Sequence, residues 1–154
     1  LRHRGLPGNL TIVAYYALRP AAIGELGENL VMDPSVHPPR VEHAHLELDG
    51  WLGDELIERY PCLFVTDDLA ATLSTSTLGR YRLHTAEVTT VDEDLRDDER
   101  AAIRPLRWFV VTGTAGEDDI GLTATGRLVV SDRALTLLQQ HNIDHCDILE
   151  YHLA

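Results

Sequence analysis

The chain has 154 residues, 25 acidic against 13 basic groups for a net charge of −12, and 44% hydrophobic residues, a balance that suits one globular domain and not a disordered chain. No apolar run reaches the ~18 residues of a membrane span, so no membrane partner is expected, and the acidic average field repels nucleic acid. All 13 basic residues are arginine, which excludes standard P-loop, protein-kinase and pyridoxal chemistry, because each needs a lysine.

Residues 1–9 read as a flexible N-terminal tail, and 10–18, with Ile12, Val13, Tyr15 and Tyr16, as a first strand. Residues 19–40 are rich in Gly and Pro and end in Asp33-Pro34-Ser35-Val36-His37-Pro38-Pro39, the composition of a surface loop. Residues 41–48 alternate, with Val41, His43 and His45 on one face and Ala44, Leu46 and Leu48 on the other, which predicts a strand. Asp49-Gly50 signals a turn. Asp54 can then cap a short helix over Glu55–Tyr60, which Pro61 ends.

A repeat follows. A shift of 65 positions (128 − 63) aligns Leu63 with Leu128, Val65 with Val130, Asp67 with Asp132 and Leu73 with Leu138, and sets Thr66 over Ser131. In each copy an apolar strand ends at a hydroxyl residue that can cap a helix. An aspartate then sits in the first turn, where the helix dipole favours negative charge. The helices are expected at about 69–74 and 133–141 and the following strands at about 80–88 and 145–151. The two strand–cap–helix–strand units therefore cover about 63–88 and 128–151. Between them, Asp92-Glu93-Asp94 and Asp97-Asp98-Glu99 open a short exposed helix through Ile103, and Pro105 stops it. Arg107–Thr112 is a strong strand, and the glycines of 113–121 mark a loop. The fold expected for residues 1–154 is a single α+β domain, with a mixed or antiparallel sheet and helices packed on it.

Several constellations could carry chemistry. His43 and His45 have the spacing that can aim two imidazoles at one metal, with His37, Asp49 or Cys62 as possible further ligands. A small metal-dependent enzyme built there is one alternative function. His141, His145, Cys146, Asp147 and His152 crowd the C-terminus, but adjacent strand residues point to opposite faces, so His145 is poorly placed to activate Cys146. Cys62 and Cys146 form no CxxC pair and read as free thiols of a reducing compartment, which places the protein in the cytoplasm. Glu117, Asp118 and Asp119 lack the register of a calcium loop. A pocket beside 113–121 would suit a small-molecule-binding regulatory domain, a further alternative. No cofactor is expected.

The stretch Asp49-Gly-Trp-Leu-Gly-Asp-Glu-Leu, then Tyr60-Pro-Cys-Leu-Phe-Val-Thr, Trp108 to Thr112-Gly, Asp118-Asp119-Ile-Gly and Leu128-Val-Val-Ser-Asp-Arg-Ala-Leu resembles a bacterial family. It is similar to the immunity-protein-like families found beside polymorphic and contact-dependent toxins, including the double-CxxCG type, here without a CxxCG motif. The resemblance implies a cytoplasmic, non-enzymatic protein that binds and neutralises a cognate toxin. An acidic face would then meet a basic toxin or effector. Its candidate residues are Asp92, Glu93, Asp94, Asp97, Asp98, Glu99, Glu117, Asp118 and Asp119, with Trp51 as an apolar anchor.

Overall fold

The computed structural model describes residues 13–91 and 95–152, which form an α+β fold of short strands and three helices. Two four-stranded antiparallel sheets organise it. The first is ordered β6 (Leu56–Arg59), β7 (Cys62–Thr66), β10 (Leu106–Val111), β8 (Tyr81–Thr85). The second is ordered β11 (Ile120–Leu122), β12 (Leu128–Ser131), β1 (Tyr15–Arg19), β13 (Asp147–Tyr151). Helix α1 (Asp67–Thr75) follows β7 directly and α3 (Asp132–Leu138) follows β12, so the two repeat units have one topology: hairpin, helix, strand.

The sequence does not reveal how these units interlock. In each sheet one strand lies between the strand before the helix and the strand after it. In the first sheet that strand is β10, which precedes the second unit in the chain; in the second sheet it is β1, which precedes the first. Each unit thus lends its leading strand to the other. The correspondence extends to single bonds. Asp67 N donates to Pro105 O at 3.1 Å just before β10, and Asp132 N donates to Ala14 O at 3.0 Å just before β1. Past its sheet, β1 reaches β6 through an Ala21–Ile57 parallel bridge, and β10 reaches β11 through Thr114–Leu122.

The main core lies between these sheets and the two long helices. It joins Leu18 of β1, Leu56, Val65, Leu69 and Leu73 of the first unit, and Leu128, Val130, Ala134 and Leu138 of the second. A second core of Leu46, Leu48, Ile57, Cys62 and Phe64 lies on the other side of the β6–β7 hairpin. It is roofed by a three-stranded sheet in which β5 (His45–Leu48) pairs with β2 (Glu25–Leu26) and runs parallel to β9 (Glu87–Thr90).

Four expectations are corrected here. Glu55–Tyr60 is not a helix; its apolar residues form β6, because Leu56 belongs to one core and Ile57 to the other, and only a strand sends consecutive side chains to opposite faces. Residues 19–40 are not continuous loop, since β2 and β3 (Val31–Asp33) lie within them. The strand over 41–48 breaks at Ala44 into β4 (Arg40–His43), paired with β3, and β5. Similarly, 80–88 breaks at Ala86 as the chain leaves the first sheet for β5. Among the described residues no helix is long and apolar enough to cross a membrane. The expected tail at 1–9 lies outside the described residues.

Candidate interaction surface

Each repeat helix is started by a buried hydroxyl held by an acid. Thr66 Oγ1 accepts from Leu69 N at 3.2 Å and donates to Glu55 Oε1 at 2.7 Å. Ser131 Oγ accepts from Ala134 N at 3.3 Å and donates to Asp119 Oδ1 at 2.5 Å. In both units the acid's own carbonyl takes the cap residue's N–H, at 3.0 Å from Thr66 and 2.8 Å from Ser131. Arg133 completes the second site, with Nη2 donating to Asp119 Oδ2 at 2.7 Å. Its hydrogen bonds, with help from Ser131, hold the Asp119 carboxyl below the usual range despite partial burial.

The first unit's acids also fasten it to the second. Glu55 is buried, which pushes its carboxyl up; hydrogen bonds from Thr66, Asn142 and His141 outweigh that and leave it lowered. His141 Nδ1 lies 3.1 Å from Glu55 Oε1, and its Nε2 lies 2.9 Å from Thr72 Oγ1 on α1. The neighbouring Asp54 is buried as well. It accepts both from His145 N, at 2.9 Å, and from the His145 ring through Nδ1, at 2.6 Å. That hydrogen bond raises the His145 pKa. These two acid–histidine pairs form a seam between residues 53–55 and the loop after α3. His141 is therefore a bridge between the units. Sequence reasoning missed the acids of the first unit, reading Asp54 as a cap. A signal was present: Asp54-Glu55-Leu56 matches Asp118-Asp119-Ile120 at nearly the repeat spacing.

The sequence-predicted residues are dispersed. Asp97, Asp98 and Glu99 lie on α2 (Asp97–Ala102), a helix with no buried residue. They are partly matched at home, Arg96 bonding Asp98 at 3.1 Å and Arg100 lying 3.5 Å from Asp97. Asp92, Glu93 and Asp94 lie outside the described residues. Glu117 is exposed. Asp118, by contrast, takes the Thr114 N–H at 2.8 Å and faces Arg80 at 3.6 Å, so it closes its own loop as Asp119 holds the cap. Trp51 is half-buried against the second core, and its neighbour Leu52 is the exposed side chain.

His43 and His45 meet at one carboxylate instead of converging on an open site. His43 Nε2 lies 2.7 Å from Glu87 Oε1. His45 is buried, its ring occupying the space a Cβ on Gly27 would need. Asn29 N donates to His45 Nδ1 at 3.1 Å, which leaves the neutral ring's proton on Nε2, 2.8 Å from Thr89 Oγ1. Among the described residues no group of three or more His, Cys, Asp or Glu is arranged to hold a metal ion. Burial pushes the thiols of Cys62 and Cys146 up to about 11 each, against nucleophilic use near neutral pH.

The outward surface is dominated by surplus acid. Arg40, Arg59, Arg80, Arg96, Arg100, Arg104, Arg107, Arg127 and Arg133 each lie within 4.0 Å of a carboxylate oxygen. Glu28, Glu42, Asp49, Glu117, Asp144 and Asp147 are exposed with no cation at that distance among the described residues. A hollow of about 200 Å³ lies beside the stems of the 113–121 loop, walled by Tyr60, Trp108, Pro38, Val111 and Leu122, with Glu58 among its walls. No protein-family model, curated protein or solved structure matches the chain.

Proposed function

We propose that this chain is a non-enzymatic protein-binding domain of the immunity type, which neutralises a basic toxin by covering it with an acidic surface. The observation that carries this reading is the matching of arginines to local carboxylates in a chain of net charge −12. Most of the positive charge is neutralised at short range, Arg19 and Arg82 being the exposed exceptions among the described residues, so the field felt at a distance is that of the surplus acids. Such a field steers a basic protein into contact and repels polyanions. The acids with the most elaborate partners, Glu55 and Asp119, are engaged in holding helix caps, which supports a binding scaffold over a reaction centre. Within the surface, α2 with Asp97, Asp98 and Glu99, together with Glu117, remains the proposed acidic contact. Asp118, Asp119 and Trp51 serve the scaffold instead.

The test is co-expression with the toxin encoded by the adjacent gene. Growth is expected to be restored by the wild-type chain and lost when Asp97, Asp98 and Glu117 are reversed to arginine. Growth that stays arrested with a folded, soluble wild-type chain would overturn the reading.

The hollow at Tyr60 and Trp108 favours one second reading, a small-molecule-binding regulatory domain. Mass spectrometry of the gently purified protein would show a stoichiometric co-purified compound, displaced by Trp108→Ala, if that reading holds.

A further inference from the structure

We infer that the outer edge of β13 is the docking strand of this domain, where an extended basic segment of the partner adds to the second sheet. The inference rests on the protein-binding reading above and adds a second contact to the acidic one on α2.

β13 ends the strand order of its sheet and pairs with β1 alone, so one side of its backbone is unpaired among the described residues. Exposed edges template the pairing of another chain, and natural proteins commonly blunt them. Among the described residues no strand covers this one. At its centre Leu149 is 67% exposed, more than any other large apolar side chain among the described residues. On the face that carries Leu149, a hollow of about 350 Å³ lined by Ala17, Arg19, Arg127, Asp147 and Leu149 runs inward from the edge over β1. In strand addition backbone bonds give affinity, and side-chain contacts, here with Leu149, give selectivity.

Charge chooses the occupant. Asp147 and Glu150 on this strand and Asp144 just before it are exposed and outnumber the basic groups that face them, Arg19 opposite Asp147 and His152 at 3.4 Å from Glu150. They oppose a second copy of so acidic a chain and favour lysine or arginine on the incoming strand. The equivalent edge of the first sheet, β8, makes the contrast. It exposes Arg82 and His84, and beyond Thr85 its chain turns into β9 to pair with β5. A basic segment therefore distinguishes two edges of like topology.

The probe is a short peptide of alternating lysine and valine, with an alternating glutamate–valine peptide as its counterpart, at low salt. Backbone hydrogen exchange is expected to slow at Asp147–Tyr151 with the lysine peptide alone. Leu149→Arg combined with Asp147→Arg should weaken binding by about tenfold or more. Should that pair disturb folding, Asp147→Asn alone is expected to weaken binding about threefold. Protection elsewhere or nowhere, equal binding of the glutamate peptide, or unchanged affinity in folded variants would overturn the inference. Toxin rescue by a chain showing no such protection would remove this edge and leave the parent reading standing.

Discussion

Asp54 and Glu55 are adjacent in the chain, and their histidine partners differ in exposure. His145, on Asp54, is half exposed, and its pKa is raised by the carboxylate. A group whose pKa is higher folded than unfolded stabilises fully below the unfolded value, ordinarily about 6.5, and loses that contribution as pH rises through the folded value. The melting temperature is therefore expected to fall as pH is raised above 6.5, and Asp54→Asn should flatten that slope. A profile unchanged by Asp54→Asn would refute the coupling. Glu55 has the opposite sign: its pKa is lowered, so its contribution is present near neutrality and is lost as pH falls through the folded value. Both acids sit among apolar neighbours in a motif that reads equally well as a helix cap, so local sequence could not assign them. Only the return of the chain after α3 supplies their histidines.

At the scale of elements, the capped helices were the most legible feature, because a cap is a local device: hydroxyl, then acid, then apolar spacing. Thr66 and Ser131 stand where the sequence puts them, and α1 and α3 start one residue later. The tie from cap to acid adds to that local device. Thr66→Ala removes the N-cap and strips Glu55 of a donor, and should cost about 1–3 kcal/mol in denaturant unfolding. Thr66→Ser keeps both bonds and should stay within about 0.5 kcal/mol of wild type. Equal losses for both would point to the lost methyl, not the hydroxyl. The segment 55–60 misleads for the converse reason. Leu56 and Ile57 side by side satisfy a short helix as readily as a strand, until two separate cores claim one each. The dispersal of the acidic triplet follows the same logic: Glu117, Asp118 and Asp119 look equivalent in sequence, and the loop's own hydrogen bonds take two of them inward.

On the scale of the whole molecule, the exchange of leading strands makes the two units one folding entity. Leu18 of β1 packs in a core shared by both, and its replacement by alanine should cost about 2–5 kcal/mol. A stronger test cuts the chain between Val91 and Leu95. The N-terminal piece then lacks β10 and the C-terminal piece lacks β1, so each sheet misses an inner strand. Neither piece is expected to fold alone, and mixing them should restore native circular dichroism with one-to-one stoichiometry. Independent folding of either piece would contradict the interlock. The sequence repeat reveals the units but not the exchange, because pairing between distant strands leaves no mark in local periodicity.

The interlocked scaffold and its surplus of outward carboxylates lead to one binding measurement. If the proposed neutralising role holds, calorimetric titration of the chain with the proposed basic toxin partner, at low and at high salt, should give a one-to-one complex that weakens as salt rises. No heat of binding at low salt, or an affinity indifferent to salt, would contradict the account.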